Sequence, residues 1–321
     1  MAKVAVTRKI PGNGIKMLQD AGFEVTVSPN DWPLERQELL NFIQGAKGIL
    51  GQLNDKVDEE YLNAAGPQLK IVANFAVGFD NLDLPALLSH NIIATNTPDV
   101  LTEAVAEHTF ALVMAITRRI AEADKLARTE SLGFGPEVLL GMELKGKVLG
   151  VLGLGRIGSR VAEIGKAVGM DVIYYDIKQN PEFEQKVGAQ FKATPEELLK
   201  ESDVVSVHVP LLDSTKHLIN AERLKMMKPT AYLINTSRGS VVAEAELVEA
   251  LKNKVIAGAA LDVGETEPKW AEGLTSLANV VLTPHIASAT IESRSAMGVL
   301  AAQNIIEVLN GRPPKTPIKP Q

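Results

Sequence analysis

The amino-acid sequence predicts an α/β protein made of two doubly wound parallel-sheet domains. Three observations predict this fold class. Strand-like and helix-like segments alternate over the first hundred residues, the alternation resumes at Lys147, and a glycine-rich turn there joins a strand to a helix. Such alternation is typical of parallel sheets with helices on both faces. The length of 321 residues also favours two domains over one.

The first domain begins with a short apolar strand and continues in regular alternation. Its predicted strands cover residues 3–7, 24–28, 47–51 and 69–75, and its predicted helices cover residues 14–21, 34–44 and 58–65. An amphipathic helix over residues 292–310 is expected to pack back onto this domain. We expect the proline-rich tail after Gly311 to be extended.

The second domain lies between these two segments, and a long helix over residues 102–128 leads into it. Its predicted strands cover residues 148–152, 171–175, 203–207, 231–235, 255–261 and 280–282, with helices over residues 195–201, 221–227 and 244–252. The predicted organisation is a Rossmann-type nucleotide domain, residues 100–287, inserted into a flavodoxin-like substrate domain of residues 1–99 and 288–321.

The glycine-rich turn is the most informative motif. An apolar strand leads directly into Gly153-x-Gly155-x-x-Gly158, and a helix-like stretch follows. In this pattern the first glycine permits a sharp turn, the second lets a pyrophosphate approach the backbone, and the third lets helix and strand pack closely. The next strand ends at Asp176, 18 positions after Gly158, which suits an acid that holds the adenosine ribose hydroxyls. The motif therefore predicts dinucleotide binding.

Composition and charge exclude several other classes. The net charge of −6 provides no basic excess for nucleic acid or an anionic membrane. The absence of cysteine excludes disulfides, thiolate catalysis and cysteine-ligated metals, and we predict no metal site. The chain begins without an apolar signal segment, and its most apolar long stretch, residues 104–116, is too short to span a bilayer. We expect a cytoplasmic protein.

Candidate polar side chains follow three predicted strands of the second domain. Arg238 follows strand 231–235, the carboxylates Glu265 and Glu267 follow strand 255–261, and His285 follows strand 280–282. Ligands of doubly wound sheets bind outside the carboxyl ends of the strands, so we expect these side chains in the same crevice as the dinucleotide.

These residue types suit hydride transfer to a 2-oxo acid. Arg238 can hold a carboxylate or polarise a carbonyl, and His285 can protonate the carbonyl oxygen as the hydride arrives. A carboxylate beside the imidazole favours its charged form and fixes its orientation. Taken singly, each residue also fits a structural role: Arg238 as a turn cap, Glu267 as a solvated acid, and His285 as a partner of a backbone carbonyl.

The remaining histidines carry weaker expectations. His90 and His217 fit surface positions, and His108 fits helix packing. His208 lies at the end of a predicted strand, where contact with the cofactor region is one alternative.

The chain resembles the D-2-hydroxyacid dehydrogenase family, particularly its glyoxylate/hydroxypyruvate reductase and phosphoglycerate dehydrogenase members. The resemblance covers nearly the whole length and rests on motifs at residues 74–81, 152–158, 235–239, 261–268 and 283–285. It implies that Arg238, Glu267 and His285 form the catalytic set. It also implies a homodimer.

The same resemblance implies the binding residues. The backbone N–H groups of Val77 and Gly78 would bind the substrate carboxylate, and Asp262 would hold the nicotinamide carboxamide. The cofactor would be lined by further residues of the turn, of the ribose-binding strand end and of the segment before Arg238: Gly155, Arg156, Ile157, Gly158, Ile177, Lys178, Thr236 and Ser237.

The resemblance leaves the exact activity open. Asp176 would repel a 2′-phosphate, which favours NADH over NADPH, although Lys178 partly offsets the repulsion. Phe134 stands where many glyoxylate reductases carry tryptophan, and we expect no regulatory C-terminal domain of the kind that some phosphoglycerate dehydrogenases carry. The leading interpretation is an NADH-dependent reductase of a small 2-oxo acid. The alternatives are 3-phosphoglycerate dehydrogenase and an NADH-sensing binding protein, whereas Glu267 argues against formate oxidation, which uses glutamine there.

Overall fold

The structure is a computed structural model that describes residues 1–129 and 135–319. Position 134, where the sequence raised a question of substrate preference, lies outside the described residues. The chain forms two compact units. Unit 1 comprises Met1–Leu101 and Ala289–Gln321, and unit 2 comprises Thr102–Ser288.

Short strands, most of them four or five residues long, form two sheets. In chain order they are β1 (Lys3–Val6), β2 (Glu24–Val27), β3 (Gly48–Gly51), β4 (Ile71–Asn74), β5 (Ile93–Thr95), β6 (Val148–Leu152), β7 (Asp171–Tyr175), β8 (Gln190–Phe191), β9 (Val204–Val207), β10 (Tyr232–Asn235), β11 (Gly258–Leu261) and β12 (Val280–Leu282).

Helices alternate with these strands. In chain order they are α1 (Gly14–Asp20), α2 (Arg36–Phe42), α3 (Glu59–Ala65), α4 (Leu84–Ser89), α5 (Thr102–Thr117), α6 (Ile120–Thr129), α7 (Arg156–Ala167), α8 (Pro181–Val187), α9 (Pro195–Glu201), α10 (Ala221–Leu224), α11 (Glu244–Lys252) and α12 (Ile291–Leu309). In the described part of the chain, no helix has both the length and the apolarity that a membrane span requires.

Unit 1 contains a five-stranded parallel sheet in the order β2-β1-β3-β4-β5. This is the flavodoxin-like order. The last helix, α12, packs against α1, β3 and β4. A Cβ at Gly14 would collide with the carbonyl oxygen of Gly298, so α1 and α12 approach closely through their glycines. The following tail runs antiparallel beside β5, where the N–H of Ile318 donates to the carbonyl of Ala94 at 2.9 Å.

Unit 2 contains a seven-stranded parallel sheet in the order β12-β11-β10-β9-β6-β7-β8. Neighbouring residues of one strand belong to different apolar clusters, as Leu233 and Ile234 of β10 do. Because successive side chains of a strand point to opposite faces, the sheet is covered by helices on both sides. Two parallel sheets of this kind confirm the predicted fold class.

The predicted helix over residues 102–128 is wrong as a single element. The structure has two helices, because the backbone at Arg119 adopts a left-handed conformation with φ of 54°. Residues of α5 are buried on several sides, whereas no residue of α6 is buried. The chain therefore leaves the core at this break. The sequence has no proline or glycine there that would have predicted it.

Candidate functional site

The glycine-rich turn occupies the end of β6, at the carboxyl edge of the unit 2 sheet. Gly153 has φ of 95°, and a Cβ there would lie 2.9 Å from the carbonyl carbon of His208. A Cβ at Gly158 would collide with the carbonyl oxygen of Gly153. A Cβ at Gly155, in contrast, would meet no atom within 4 Å. The first and third glycines are thus required by packing, while the second faces open space.

Helix α7 begins immediately after this open position. Gly155 is its N-cap residue and carries no side chain, so no side-chain hydrogen bond caps the first turn. The N–H groups of the first turn, which includes Arg156 and Ile157, and the positive end of the helix dipole therefore face the space that Gly155 leaves open. These features fit the pyrophosphate of a dinucleotide.

Asp176 stands directly after β7, beside the same turn. Its Oδ2 atom accepts a hydrogen bond from the backbone N–H of Leu154 at 2.7 Å, which ties the end of β7 to the glycine-rich turn. Ile177 is 96% exposed and Lys178 is also exposed. The acid, the turn and these two exposed neighbours therefore belong to one edge of unit 2, as a ribose site requires.

The turn after β10 is fixed by the buried side chain of Asn235. Its Oδ1 accepts from the backbone N–H of Ser237 at 3.0 Å and from the Ser237 hydroxyl at 2.9 Å, and its Nδ2 donates to the carbonyl of Arg238 at 2.9 Å. The Oγ1 of Thr236 lies 2.8 Å from the Oγ1 of Thr109 on α5. The guanidinium of Arg238 donates to the carbonyl of Ser237 at 2.8 Å. Arg238 therefore leaves the sheet edge from a rigid turn.

Glu267 and His285 form a hydrogen-bonded pair. The Nδ1 of His285 lies 2.8 Å from the Oε2 of Glu267, and the two side chains are 32% and 30% exposed. The other carboxylate oxygen of Glu267 accepts from the backbone N–H of Gly264 at 3.2 Å. The backbone of His285 is left-handed, with φ of 54°. The structure thus brings together an acid and an imidazole that follow adjacent strands.

Asp262 anchors the segment that carries His285. Its buried carboxylate accepts from the Thr283 hydroxyl at 2.6 Å and from the backbone N–H groups of Ile286 and Ala287, each at 2.8 Å. Burial raises the pKa of this carboxyl, but the hydrogen bonds from His108, Thr283 and the two backbone groups outweigh burial, so the pKa lies below its ordinary value. Asp262 is therefore a carboxylate at neutral pH.

His108 belongs to this network, a role that the sequence did not reveal. Its Nε2 lies 3.1 Å from the Oγ1 of Thr283 and 3.5 Å from the Oδ1 of Asp262. Only its position on a predicted helix was visible in the sequence, and helix packing was the expectation. The only signal in the sequence was the interruption of the apolar stretch 104–116 by Glu107 and His108, and it names no partner.

The other histidines occupy distinct surroundings. Burial lowers the pKa of His208 to about 3, so its imidazole is neutral and pairs with the hydroxyl of Ser206 at 2.8 Å. His217 is partly exposed, as expected, and its Nε2 lies 2.5 Å from the Oε1 of Glu265. In unit 1, His90 pairs with Glu59 at 2.8 Å.

Val77 and Gly78 follow β4 at the carboxyl edge of the unit 1 sheet. The carbonyl of Val77 accepts from Asn96 at 2.8 Å, and the carbonyl of Gly78 accepts from Asn74 at 2.9 Å. Asn74 in turn pairs with Asn81. Buried and half-buried amides therefore fix the peptide planes whose N–H groups the sequence singled out.

Comparison with known proteins relates the whole chain to one family. Residues 110–287 match the model of the D-isomer specific 2-hydroxyacid dehydrogenase NAD-binding domain. The glyoxylate reductase of Thermofilum pendens is 49% identical over 315 residues, which cover 97% of this chain and 93% of that protein.

Solved structures agree with this relationship. A protein from Thermus thermophilus matches with a TM-score of 0.93 and 42% identity, covering 99% of this chain and 100% of that one. The NADPH-dependent glyoxylate/hydroxypyruvate reductase of Sinorhizobium meliloti, solved with NADP and malonate, matches with a TM-score of 0.84 and 32% identity, covering 99% and 96%. The chain therefore belongs to the D-isomer specific 2-hydroxyacid dehydrogenase family and is an oxidoreductase with a nicotinamide-cofactor domain.

Proposed function

We propose that this protein reduces a small 2-oxo acid, such as glyoxylate or hydroxypyruvate, to the D-2-hydroxy acid with NADH. The single observation that carries the proposal is the hydrogen bond between His285 and Glu267, in the same unit as the glycine-rich turn. A carboxylate that holds an imidazole in one orientation suits a proton donor to a carbonyl. Relatives that match over most of this chain are named glyoxylate reductase, and this name supports the same choice of substrates.

His285 is the proposed proton donor. With Nδ1 directed at Glu267, the Nε2 atom is the ring nitrogen that remains to protonate the carbonyl oxygen of the substrate. The carboxylate of Glu267 fixes the orientation of the imidazole ring. When bound, the reduced nicotinamide supplies the hydride. His285 would deliver the proton from Nε2 to the carbonyl oxygen, which becomes the hydroxyl oxygen of the product.

Arg238 and unit 1 are proposed to bind the substrate. The planar guanidinium of Arg238 pairs with the substrate carboxylate or polarises its carbonyl. The backbone N–H groups of Val77 and Gly78 provide further donors for the carboxylate. Unit 2 is then the nucleotide domain and unit 1 the substrate domain. Asp262 is the proposed partner of the nicotinamide carboxamide, and Thr236 and Ser237 line the cofactor.

We propose NAD rather than NADP as the cofactor. A carboxylate at Asp176 repels a 2′-phosphate and accepts hydrogen bonds from unmodified ribose hydroxyls. Lys178 supplies a partly offsetting charge one residue beyond Ile177. The Sinorhizobium meliloti relative is NADPH-dependent, and we propose that Asp176 and Lys178 set the preference of this chain.

The alternatives keep the same scaffold. Oxidation of 3-phosphoglycerate requires a substrate pocket for a phosphate, and an NADH-sensing binding protein requires cofactor binding without rapid turnover.

We propose a cytoplasmic homodimer. Size-exclusion chromatography with light scattering tests the dimer through its mass in solution.

A substrate panel tests the proposed function. NADH and NADPH consumption is measured with glyoxylate, hydroxypyruvate, pyruvate, phosphohydroxypyruvate and a longer branched 2-oxo acid. Rapid turnover of glyoxylate or hydroxypyruvate with NADH is expected. Turnover of phosphohydroxypyruvate alone would favour the phosphoglycerate reaction, and tight NADH binding without any turnover would favour the sensing protein.

A further inference from the structure

We propose that Glu244 is a positioning residue that holds the loop carrying Glu267. Glu244 is the first residue of α11 and is only 3% exposed. Its Oε2 accepts from the backbone N–H of Glu265 at 2.9 Å, and its Oε1 accepts from the backbone N–H of Ala271 at 3.0 Å. One carboxylate therefore binds the backbone of the loop on both sides of Glu267. The consequence for turnover rests on the proposed function.

Other contacts also hold residues 264–271, and we call this set of contacts, together with those of Glu244, the clamp. Glu265 returns a hydrogen bond, because its Oε2 accepts from the backbone N–H of Glu244 at 3.2 Å. Its Oε1 lies 2.5 Å from the Nε2 of His217. A Cβ at Gly239 would collide with the carbonyl oxygen of Gly264, so the backbone after Arg238 lies directly against the start of the loop. The loop is thus fixed from three segments of unit 2.

Capping of α11 alone does not explain these contacts. An acid in the first turn of a helix is stabilising without any partner outside the helix, and Glu246 provides such an acid on the same turn. The carboxylate of Glu244 is buried and bonds a segment 21 and 27 positions away instead. Burying a carboxylate is unfavourable unless hydrogen bonds compensate it, and here the compensating donors belong to the loop of Glu267.

Amide hydrogen exchange of the full-length protein tests the clamp without any substrate. In Glu244→Gln, one of the two acceptor oxygens is replaced by an N–H₂ group that faces a donor. We expect exchange at Glu265 and Ala271 to accelerate at least about tenfold. Glu246→Gln is the matched control, since Glu246 bonds the backbone N–H of Ala221 outside the loop, and we expect this variant to leave both exchange rates unchanged. Unchanged exchange in Glu244→Gln would overturn the proposal.

A second variant covers the case in which Glu244→Gln does not fold. The side chain of Glu265 is 27% exposed and lies on the other side of the same clamp. Glu265→Gln weakens the contacts with Glu244 and His217, and faster exchange at Ala271 is expected. An unchanged rate at Ala271 would contradict the clamp in this variant as well.

A double-mutant cycle tests whether the clamp acts through Glu267. Glu244→Gln is expected to lower kcat about tenfold, with the Kd for NADH unchanged, because a small displacement of a catalytic pair is costly. In the Glu267→Gln background the same change should have less than about a twofold effect. If Glu244→Gln instead lowers kcat by the same factor in both backgrounds, Glu244 has a merely structural role. If the wild-type protein reduces no 2-oxo acid, the proposed function fails while the exchange data still decide the clamp.

Discussion

The Nδ1 atom of His285 lies 2.8 Å from the Oε2 atom of Glu267, although the two residues follow different strands. Both partners are held independently. Asp262 binds the backbone after His285, and Glu244 binds the backbone on both sides of Glu267. Because each partner has its own anchor, the pair is pre-organised before any substrate binds.

Replacing His285 with alanine is expected to lower kcat for 2-oxo acid reduction by about 10²–10⁴-fold, the usual contribution of a positioned acid. The Kd for NADH, measured by fluorescence titration, should remain within about twofold of the wild-type value, because the glycine-rich turn is untouched. A variant that keeps normal turnover would show that another group donates the proton.

Arg238→Lys distinguishes charge from geometry at the proposed substrate site. Lysine keeps the positive charge but loses the planar fork of donors, so we expect a higher KM for the 2-oxo acid and a lower kcat. Steady-state kinetics at saturating NADH provide the measurement. Wild-type constants in the lysine variant would mean that only the charge matters, and Arg238→Ala then measures the contribution of that charge.

The glycines of the turn provide a matched pair of variants. Gly155→Ala places a methyl group in open space, so the fold should persist while cofactor affinity falls by about tenfold or more. Gly158→Ala drives a methyl group into the carbonyl of Gly153, so the main effect is a lower Tm. Thermal unfolding and NADH titration of both variants separate the two effects. Equal cofactor affinity in Gly155→Ala and wild type would place the pyrophosphate elsewhere.

Asp176→Asn tests cofactor preference more cleanly than alanine does. Asparagine retains an oxygen for the backbone N–H of Leu154 but removes the negative charge. We expect the ratio of kcat/KM for NADH over NADPH to fall, because repulsion of the 2′-phosphate is lost. Asp176→Ala should shift the ratio in the same direction and also loosen the turn. An unchanged ratio in both variants would assign the preference to other residues.

Asp203 provides a test of pH-dependent stability far from the reacting groups. Burial raises the pKa of this carboxyl, but hydrogen bonds from the Val148 backbone and the Lys228 ammonium outweigh burial, so the pKa is lowered. A lowered pKa contributes stability above the unfolded value, about 3.9, and this contribution is lost as the pH falls through the folded value.

Asp203→Asn is therefore expected to lower the free energy of unfolding by about 2 kcal/mol at pH 7, since a charged hydrogen bond is lost. Urea unfolding at several pH values measures the difference from wild type, which should shrink as the pH falls below about 4. A difference that stays constant with pH would contradict the assignment.

The bounds of two helices in unit 2 were predictable from the sequence. The predicted helices over residues 195–201 and 244–252 coincide with α9 and α11, and the Thr194 hydroxyl caps α9 by accepting from the N–H of Glu197. Strands β5 and β8 were missed, because two or three residues are too few to show alternation. Helices α4 and α8 were missed as well, although Asp83 and Asn180 cap them as Thr194 caps α9. The break at Arg119 was missed because a left-handed arginine has no sequence signal.

For the candidate site, the order of strands and motifs predicted that Arg238, Glu267 and His285 follow neighbouring strands at one edge of a sheet, and in the structure they follow β10, β11 and β12. It could not provide the partners that fix them. His108 and Glu244 bond residues more than twenty positions away, and such contacts depend on how helices pack over the sheet. Asp262 illustrates the same limit, because its three short hydrogen bonds to the segment after β12 have no counterpart in any local pattern.

The division of the chain into units also dictates an order of events on the ribosome. Unit 2 is one uninterrupted stretch, whereas unit 1 receives α12 only from the last part of the chain. The face of β3 and β4 that α12 covers therefore stays uncovered until synthesis is nearly finished. By that time all strands of unit 2 have been synthesised. A chain released before α12 is made would expose that face, so translation must be completed before the first-made sheet is protected from aggregation.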